Sequence, residues 1–277
     1  MNYFETLNAS VKTALAEDIQ TGDLTAELIP EANQATATII CREPAIICGR
    51  PWFDEVFQQV DPTIEINWQV NEGQKVAADT LLCTVKGSAK NILTAERTAL
   101  NFLQTLSATA TVTAQYVAQL EGTQTKLLDT RKTLPNLRMA QKYAVKCGGG
   151  TNHRIGLFDA ILIKENHIMA AGGIDKAVYT AKGRHPNITV EVETETLDEV
   201  MQAVVAGADI IMLDNFTIDA MHEAVKQVAG RAKLEISGNV EIKHLAELAK
   251  TGVDFISTGA ITKHIQAIDL SMRFTNH

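Results

Sequence analysis

Hydrophobic and polar positions along this chain follow two different patterns, and the change falls near residue 110. In the first part, the spacing predicts a helix near Tyr3–Glu17 and short strands at Ala35–Cys41, Ile64–Val70 and Leu81–Val85. Turn sequences at Asp61-Pro62 and Asn71-Glu72-Gly73 separate them. A long helical pattern runs from Ala89 to Leu120, and the β-branched and hydroxyl residues crowded into Ser107–Thr113 predict a break in it. The boundary is placed there. It leaves a smaller N-terminal α+β domain over residues 1–110 and a second domain over 111–277, whose C-terminal end is free to pack back on the first.

Beyond the boundary, short aliphatic strands alternate with helical stretches: Lys126–Leu128, Ala160–Ile163, Ile188–Val192, Asp209–Leu213, Leu234–Ile236 and Phe255–Ile256. Alternation of this kind implies right-handed βαβ units and a parallel sheet. The strands run into Asp129 and Arg131, then Lys164, Glu193, Asp214, Ser237 and Thr258-Gly259. Parallel α/β folds place substrates at that carboxyl edge, so functional side chains converge on one mouth. About eight units close a standard barrel. The fold class expected here is therefore α/β, an atypical, incomplete barrel of about six parallel strands, with an open doubly wound sheet as the other architecture compatible with the pattern.

Composition narrows the function. A 277-residue chain that is 45% hydrophobic and only 5% aromatic suits aliphatic parallel strands and argues against disorder. No apolar run approaches the roughly 20 residues that cross a bilayer, and residues 1–10 lack the features of an export signal, so the expected address is cytoplasmic, with no membrane partner. Cys41, Cys48, Cys83 and Cys147 form no CxxC pair and are expected to be ordinary buried thiols. The net charge of -8 disfavours a nucleic-acid surface. Between Lys126 and His167, however, eight Lys/Arg stand against three acids, a basic island that points to a focused anion site.

Within that island, Arg131 offers a planar bidentate donor and Lys132 a point charge, a pairing suited to a carboxylate beside a phosphate. Arg138, Lys142 and Lys146 follow at helical i, i+4, i+8 spacing, which reads as a solvated face. Three glycines then lead to His153 and Arg154. His153 and His167 lack metal-motif spacing and sit among cations, a setting that attracts anions and repels metal ions. Glu193 and Asp214 at two strand ends suit either sugar hydroxyls or a Mg2+ bridging to pyrophosphate. The turns Ser237-Gly238-Asn239 and Thr258-Gly259-Ala260 end the last two strands in small residues just before helices, as phosphomonoester grips do.

Five segments together resemble the quinolinate phosphoribosyltransferase family: TRKTLPNLR at 130–138, GGGTNHR at 148–154, KENH at 164–167, EVE at 191–193 and LDN at 213–215. Glu17-Asp18, Gly22-Asp23 and the ERTALN run at 96–101 are similar too, and the likeness covers essentially the full length. Glu165 stands where the family often has Asp, and Asn239 where glycine is common. The resemblance implies transfer of phosphoribosyl from phosphoribosyl pyrophosphate to quinolinate, with Mg2+ required and nicotinate mononucleotide, pyrophosphate and CO2 as products. It implies that Arg131, His153 and Arg154 hold the quinolinate carboxylates, with Arg97 supplied by the neighbouring subunit of a dimer or dimer-based oligomer. Thr130, Lys132, Lys164, Glu193 and Asp214 would contact the substrates, the last four as the catalytic set, and the Ser237-Gly238-Asn239 and Thr258-Gly259-Ala260 turns would hold the 5-phosphate. A relative acting on nicotinate, or a non-catalytic phosphosugar-binding barrel, are the competing readings.

Overall fold

The computed structural model describes residues 2–238 and 240–275. In chain order the first elements are α1 (Leu7–Ile19), β1 (Gln34–Cys41), β2 (Ala45–Ile46), α2 (Arg50–Val60), β3 (Glu65–Trp68), β4 (Lys75–Val76), β5 (Thr80–Ser88) and α3 (Ala89–Ala118). Then follow β6 (Lys126–Leu128), α4 (Arg138–Cys147), β7 (Ile161–Ile163), α5 (Glu165–Ala171), α6 (Ile174–Arg184), β8 (Val190–Thr194), α7 (Leu197–Ala206) and β9 (Ile210–Asp214). The chain closes with α8 (Ile218–Val228), β10 (Lys233–Ser237), α9 (Leu245–Ala249), β11 (Phe255–Ser257), α10 (Ala260–Lys263) and β12 (Leu270–Phe274).

Two compact units share these elements. One takes the chain up to Ala114, Thr133–Gly149 and everything from Ile261 onward; the other takes Gln115–Lys132 and Gly150–Ala260. A single cut at 110/111 is thus simpler than the actual division, in which the chain crosses between units several times. In the first unit an antiparallel sheet of order β12-β1-β5-β3 forms from strands far apart in sequence, with the last strand returning to pair Leu270 with Cys41 and Phe274 with Ala37. Its core gathers Ile39, Trp52, Phe53, Phe57, Leu82, Ile92 and Leu103, all essentially out of solvent.

α3 corrects an expectation. It runs unbroken through Ser107–Thr113 for 30 residues. The hydroxyls that would compete with helix are satisfied without breaking it: Thr113 Oγ1 donates to Thr109 O at 2.7 Å, and Thr111 Oγ1 accepts from Ile46 N–H at 2.8 Å. Ser107 Oγ accepts from Cys48 N–H at 2.9 Å and donates back to its carbonyl at 3.1 Å. Ser107, Thr109 and Thr113 are buried, where water cannot compete for these hydroxyls. A second correction concerns α4. Lys142 is fully buried, together with Gln141, so the 138/142/146 series is not a solvated stripe. Gln141 carries helix-end duties, accepting from Leu134 N–H at 2.7 Å and donating to Thr262 O at 2.8 Å.

The second unit holds the six-stranded parallel sheet, order β6-β11-β10-β9-β8-β7. Consecutive strands are neighbours from β7 to β11, and the first strand, β6, pairs with the last, as in an α/β barrel. Among the described residues β6 and β7 do not pair, so the wall is open between them. Valine, isoleucine and leucine fill the strands, with Val190, Val192, Ile211, Leu213 and Ile256 wholly buried. Local signals fix the helix ends: Thr196 and Glu199 form a reciprocal capping box on α7, and left-handed Gly207 stops it.

Candidate active site

Strand ends of the second unit place the chemistry. Immediately after β6, fully buried Asp129 accepts from the His153 backbone N–H and from Asn152 Nδ2, each at 2.8 Å. A parallel bridge between Leu128 and Thr151 adds to this clamp. The glycine-rich approach is thereby tied to the end of β6, which aims His153 and Arg154 from a fixed backbone. Asp129→Ala would orphan these donors in the interior and should lower unfolding stability by about 1–3 kcal/mol. Chemical denaturation checks this, and an unchanged midpoint would contradict the clamp.

His153 Nε2 lies 2.8 Å from Glu191 Oε2 and 3.4 Å from Glu235 Oε2. Both glutamates are buried, and Glu235, the more distant of the two, adds to the hold on the imidazole by a long polar contact and by its charge. Burial alone would strip the imidazolium of its proton; the two carboxylates outweigh it and raise the pKa from 6.5 to about 10. These three side chains have the spacing of metal ligands. The 2.8 Å contact is nevertheless that of a hydrogen bond, and a protonated ring already balances one carboxylate. Beside it, Arg154 is made less comfortable as a cation first by burial and then by the charge of Arg131, so two guanidiniums face one space. Asp159 shapes the loop that follows, accepting from Ile155 N–H at 2.8 Å and Gly156 N–H at 2.9 Å.

A second cluster combines both signs. Lys164, at the end of β7, contacts Glu193 Oε2 at 2.5 Å. Asp214, at the end of β9, has its pKa raised by burial first and by Glu193 next, while Lys164 and Lys132 pull it down. These four side chains therefore feel one another across adjacent strand ends. The turn after β10 closes on them: a Cβ at Gly238, whose φ is +92°, would sit 3.0 Å from Asp214 Oδ1 and 2.9 Å from Asn215 Oδ1. The turn after β11 does likewise, for a Cβ at Gly259 would meet Lys132 Cδ at 2.7 Å and Thr130 Oγ1 at 3.2 Å. Ala260 N–H is held by Thr258 Oγ1 at 3.2 Å. Small residues thus let both turns approach the charged cluster.

Of the residues expected from sequence, Thr130, Arg131, Lys132, His153, Arg154, Lys164, Glu193, Asp214, Ser237, Gly238, Thr258, Gly259 and Ala260 belong to this one unit and its strand-end loops. Arg97 is an exposed residue of α3 in the first unit. Asn239 lies outside the described residues.

Comparison with known proteins decides the family. A profile described as quinolinate phosphoribosyl transferase, N-terminal domain, matches residues 23–107, and its C-terminal-domain counterpart matches 109–273. The chain belongs to the quinolinate phosphoribosyltransferase family. It is 42% identical over 267 residues to a probable nicotinate-nucleotide pyrophosphorylase [carboxylating] of Synechocystis sp., covering 95% of this chain and 90% of that protein. A Bacillus subtilis protein of the same description is 39% identical, with 94% and 90% covered. The solved nicotinate-nucleotide pyrophosphorylase of Francisella tularensis superposes with a TM-score of 0.96 at 53% identity, covering 99% of this chain and 98% of that one.

In this quinolinate phosphoribosyltransferase family member, sequence reasoning passed over Glu235 and saw Glu191 only as part of a motif. A strand-parity signal was present: Glu191 and Glu193 share one face of β8, as Glu235 and Ser237 do of β10. An acid inside an otherwise aliphatic strand is costly unless paired, so each marks a cation to be found. His167 has a local duty, its Nδ1 accepting from Lys164 N–H at 3.0 Å to cap α5.

Proposed function

We propose that this protein transfers phosphoribosyl from phosphoribosyl pyrophosphate to quinolinate and releases pyrophosphate and CO2, forming nicotinate mononucleotide for NAD biosynthesis. The observation that carries this reading is the cationic group of Arg131, Arg154 and protonated His153 in the same unit as the Lys132, Lys164, Glu193 and Asp214 cluster. The Arg131 and Arg154 charges oppose each other in a partly desolvated space, beside an imidazolium that Glu191 and Glu235 keep protonated, and a rigid dicarboxylate supplies charge that matches the two guanidiniums.

Lys132 and Lys164 bind phosphoryl oxygens, and the Ser237-Gly238-Asn239 and Thr258-Gly259-Ala260 turns receive the 5-phosphate through backbone amides. With the acid held by the arginines, the ring nitrogen attacks the anomeric carbon as the bond to pyrophosphate breaks, the electron pair leaving with pyrophosphate. Positive charge builds on the sugar, where Glu193 and Asp214 stabilise it. Loss of CO2 then leaves an electron pair on the ring carbon beside the quaternised nitrogen, whose positive charge stabilises it until that carbon takes up a proton from water; the protein's task there is to position and desolvate. Glu193 and Asp214 are two partly exposed oxygen donors at one strand edge, a set that suits a Mg2+ retaining water and substrate oxygens. When bound, Mg2+ neutralises charge on the pyrophosphate.

Arg97 acts from the neighbouring subunit of a homodimer or dimer-based oligomer, a reading supported by family resemblance and by its exposure on α3. Mixed Arg97→Ala and Lys164→Ala subunits should regain part of the activity each lacks, because some shared sites would be intact. No recovery after verified subunit exchange would exclude a shared site. No described helix is long and apolar enough to cross a membrane. The deciding assay supplies phosphoribosyl pyrophosphate, Mg2+ and either quinolinate or nicotinate, and scores nucleotide and CO2. Quinolinate turnover with stoichiometric CO2 is expected, abolished by chelating Mg2+; turnover of nicotinate alone would overturn the proposal.

A further inference from the structure

A second group of reactive side chains lies in the first unit and plays no part in the chemistry above. Cys48, Glu72 and Cys147 each offer one donor atom, and the three atoms lie within 4.8 Å of one another. Cys48 is fully buried in the turn ahead of α2, whereas Cys147, the last residue of α4, keeps partial contact with solvent. Glu72 is fixed in place, its two oxygens accepting from Gly49 N–H at 2.7 Å and Arg50 N–H at 3.2 Å. Tyr143, one helical turn before Cys147, completes the group and packs against Trp52 with ring centroids 5.7 Å apart.

We propose that Cys147 and Cys48 are a peroxide-oxidised dithiol, with Cys147 as the attacking thiol, Cys48 as the resolving thiol and Glu72 as the proton carrier between them.

The environments divide the roles. Hydrogen bonding from Cys48 favours the Cys147 thiolate, burial and the charge of Glu72 oppose it, and the Tyr143 hydroxyl adds a further donor; the balance lowers its pKa. Cys48 is held as a thiol, first by burial and then by its contact with Cys147. Burial raises the Glu72 pKa against the two backbone N–H bonds that favour its charged form, and its carboxylate lies beside both sulfurs, the position a proton carrier between them needs. In the first step Cys147 gives up its proton and its Sγ attacks one peroxide oxygen, the O–O bond breaks, and the departing hydroxide takes that proton and leaves as water, so that a sulfenic acid remains. In the second, Cys48 passes its proton to Glu72 and its sulfur attacks Cys147 Sγ. The S–O bond breaks, and the hydroxide leaves as water with the proton from Glu72. Two thiols lose two electrons, one peroxide gains them, and a disulfide and two waters result. The bond would tether the end of α4 six residues before His153.

Low-dose hydrogen peroxide on the full-length protein, followed by non-reducing peptide mapping, tests this. Two thiols should disappear together, with the peptides of Cys48 and Cys147 joined and Cys41 and Cys83 still reduced; dithiothreitol should restore all four. In Cys48→Ser, a dimedone adduct should form at Cys147, and its sulfinic acid should accumulate about tenfold faster than in wild type, since no resolving thiol remains. Wild-type oxidation of Cys147 that is no faster than that of Cys41 and Cys83, or that ends as sulfinic acid without a Cys48 link, would overturn the proposal. The wild-type map decides even if a variant folds poorly.

Discussion

Arg154→Ala should lower kcat/KM for quinolinate by about 10²- to 10³-fold while leaving the unfolding midpoint near wild type. Truncating one partner of a desolvated, hydrogen-bonded charge pair costs about 2–5 kcal/mol, and each 1.4 kcal/mol is about tenfold in rate. Stability should not follow, because without ligand the Arg154 cation is opposed by burial and by the Arg131 charge, so its removal relieves that repulsion. Arg154→Lys sharpens the assignment: it restores the charge but not the planar fork, and should recover only a small part of the loss. Steady-state kinetics with quinolinate varied at saturating phosphoribosyl pyrophosphate measures both variants. Unchanged kcat/KM in the alanine variant would remove Arg154 from the site.

What sequence could and could not reveal follows from the range of the interactions involved. The six parallel strands were legible because aliphatic runs bounded by polar strand ends are local signals, and each expected strand lies within about two residues of an observed one. The cationic half of the site was legible for the same reason: Arg131-Lys132 and His153-Arg154 lie in short loops tied to strand ends. α3 was misread at Ser107–Thr113 because its hydroxyls are satisfied partly by Ile46 and Cys48, about 60 residues away, and propensity knows nothing of distant partners. Lys142 illustrates the converse error, since a charged residue at helical spacing looks solvated until tertiary packing encloses it. β12 escaped because it pairs with a strand more than 200 residues earlier. Glu235 escaped because its reason for being buried, the imidazole of His153, lies on a different segment.

That hidden pair has the second large consequence. Glu235→Gln should make quinolinate binding pH-sensitive in a range where wild type is flat. In the folded protein the His153 pKa stands at about 10 against an ordinary 6.5, because Glu191 and Glu235 together outweigh the burial that opposes its charge. A raised pKa of this kind contributes stability that is complete below about 6.5 and is lost as pH rises through about 10. Over the same interval the ring remains an anion-binding cation. Glutamine keeps the shape of Glu235 but not its charge, so the folded pKa falls toward neutrality while the 2.8 Å contact to Glu191 remains. The quinolinate KM of wild type should stay level from pH 6.5 to 9, whereas that of the variant should climb by about tenfold, the amount expected when one binding charge worth about 1.4 kcal/mol is titrated away. Below pH 6.5 the two proteins should converge. NMR titration of the His153 ring separates this effect from loss of packing: a midpoint displaced downward in the variant, with an unchanged amide spectrum elsewhere, is the expected signature. Superimposable KM profiles and ring titrations would mean that Glu191 alone holds the proton on His153.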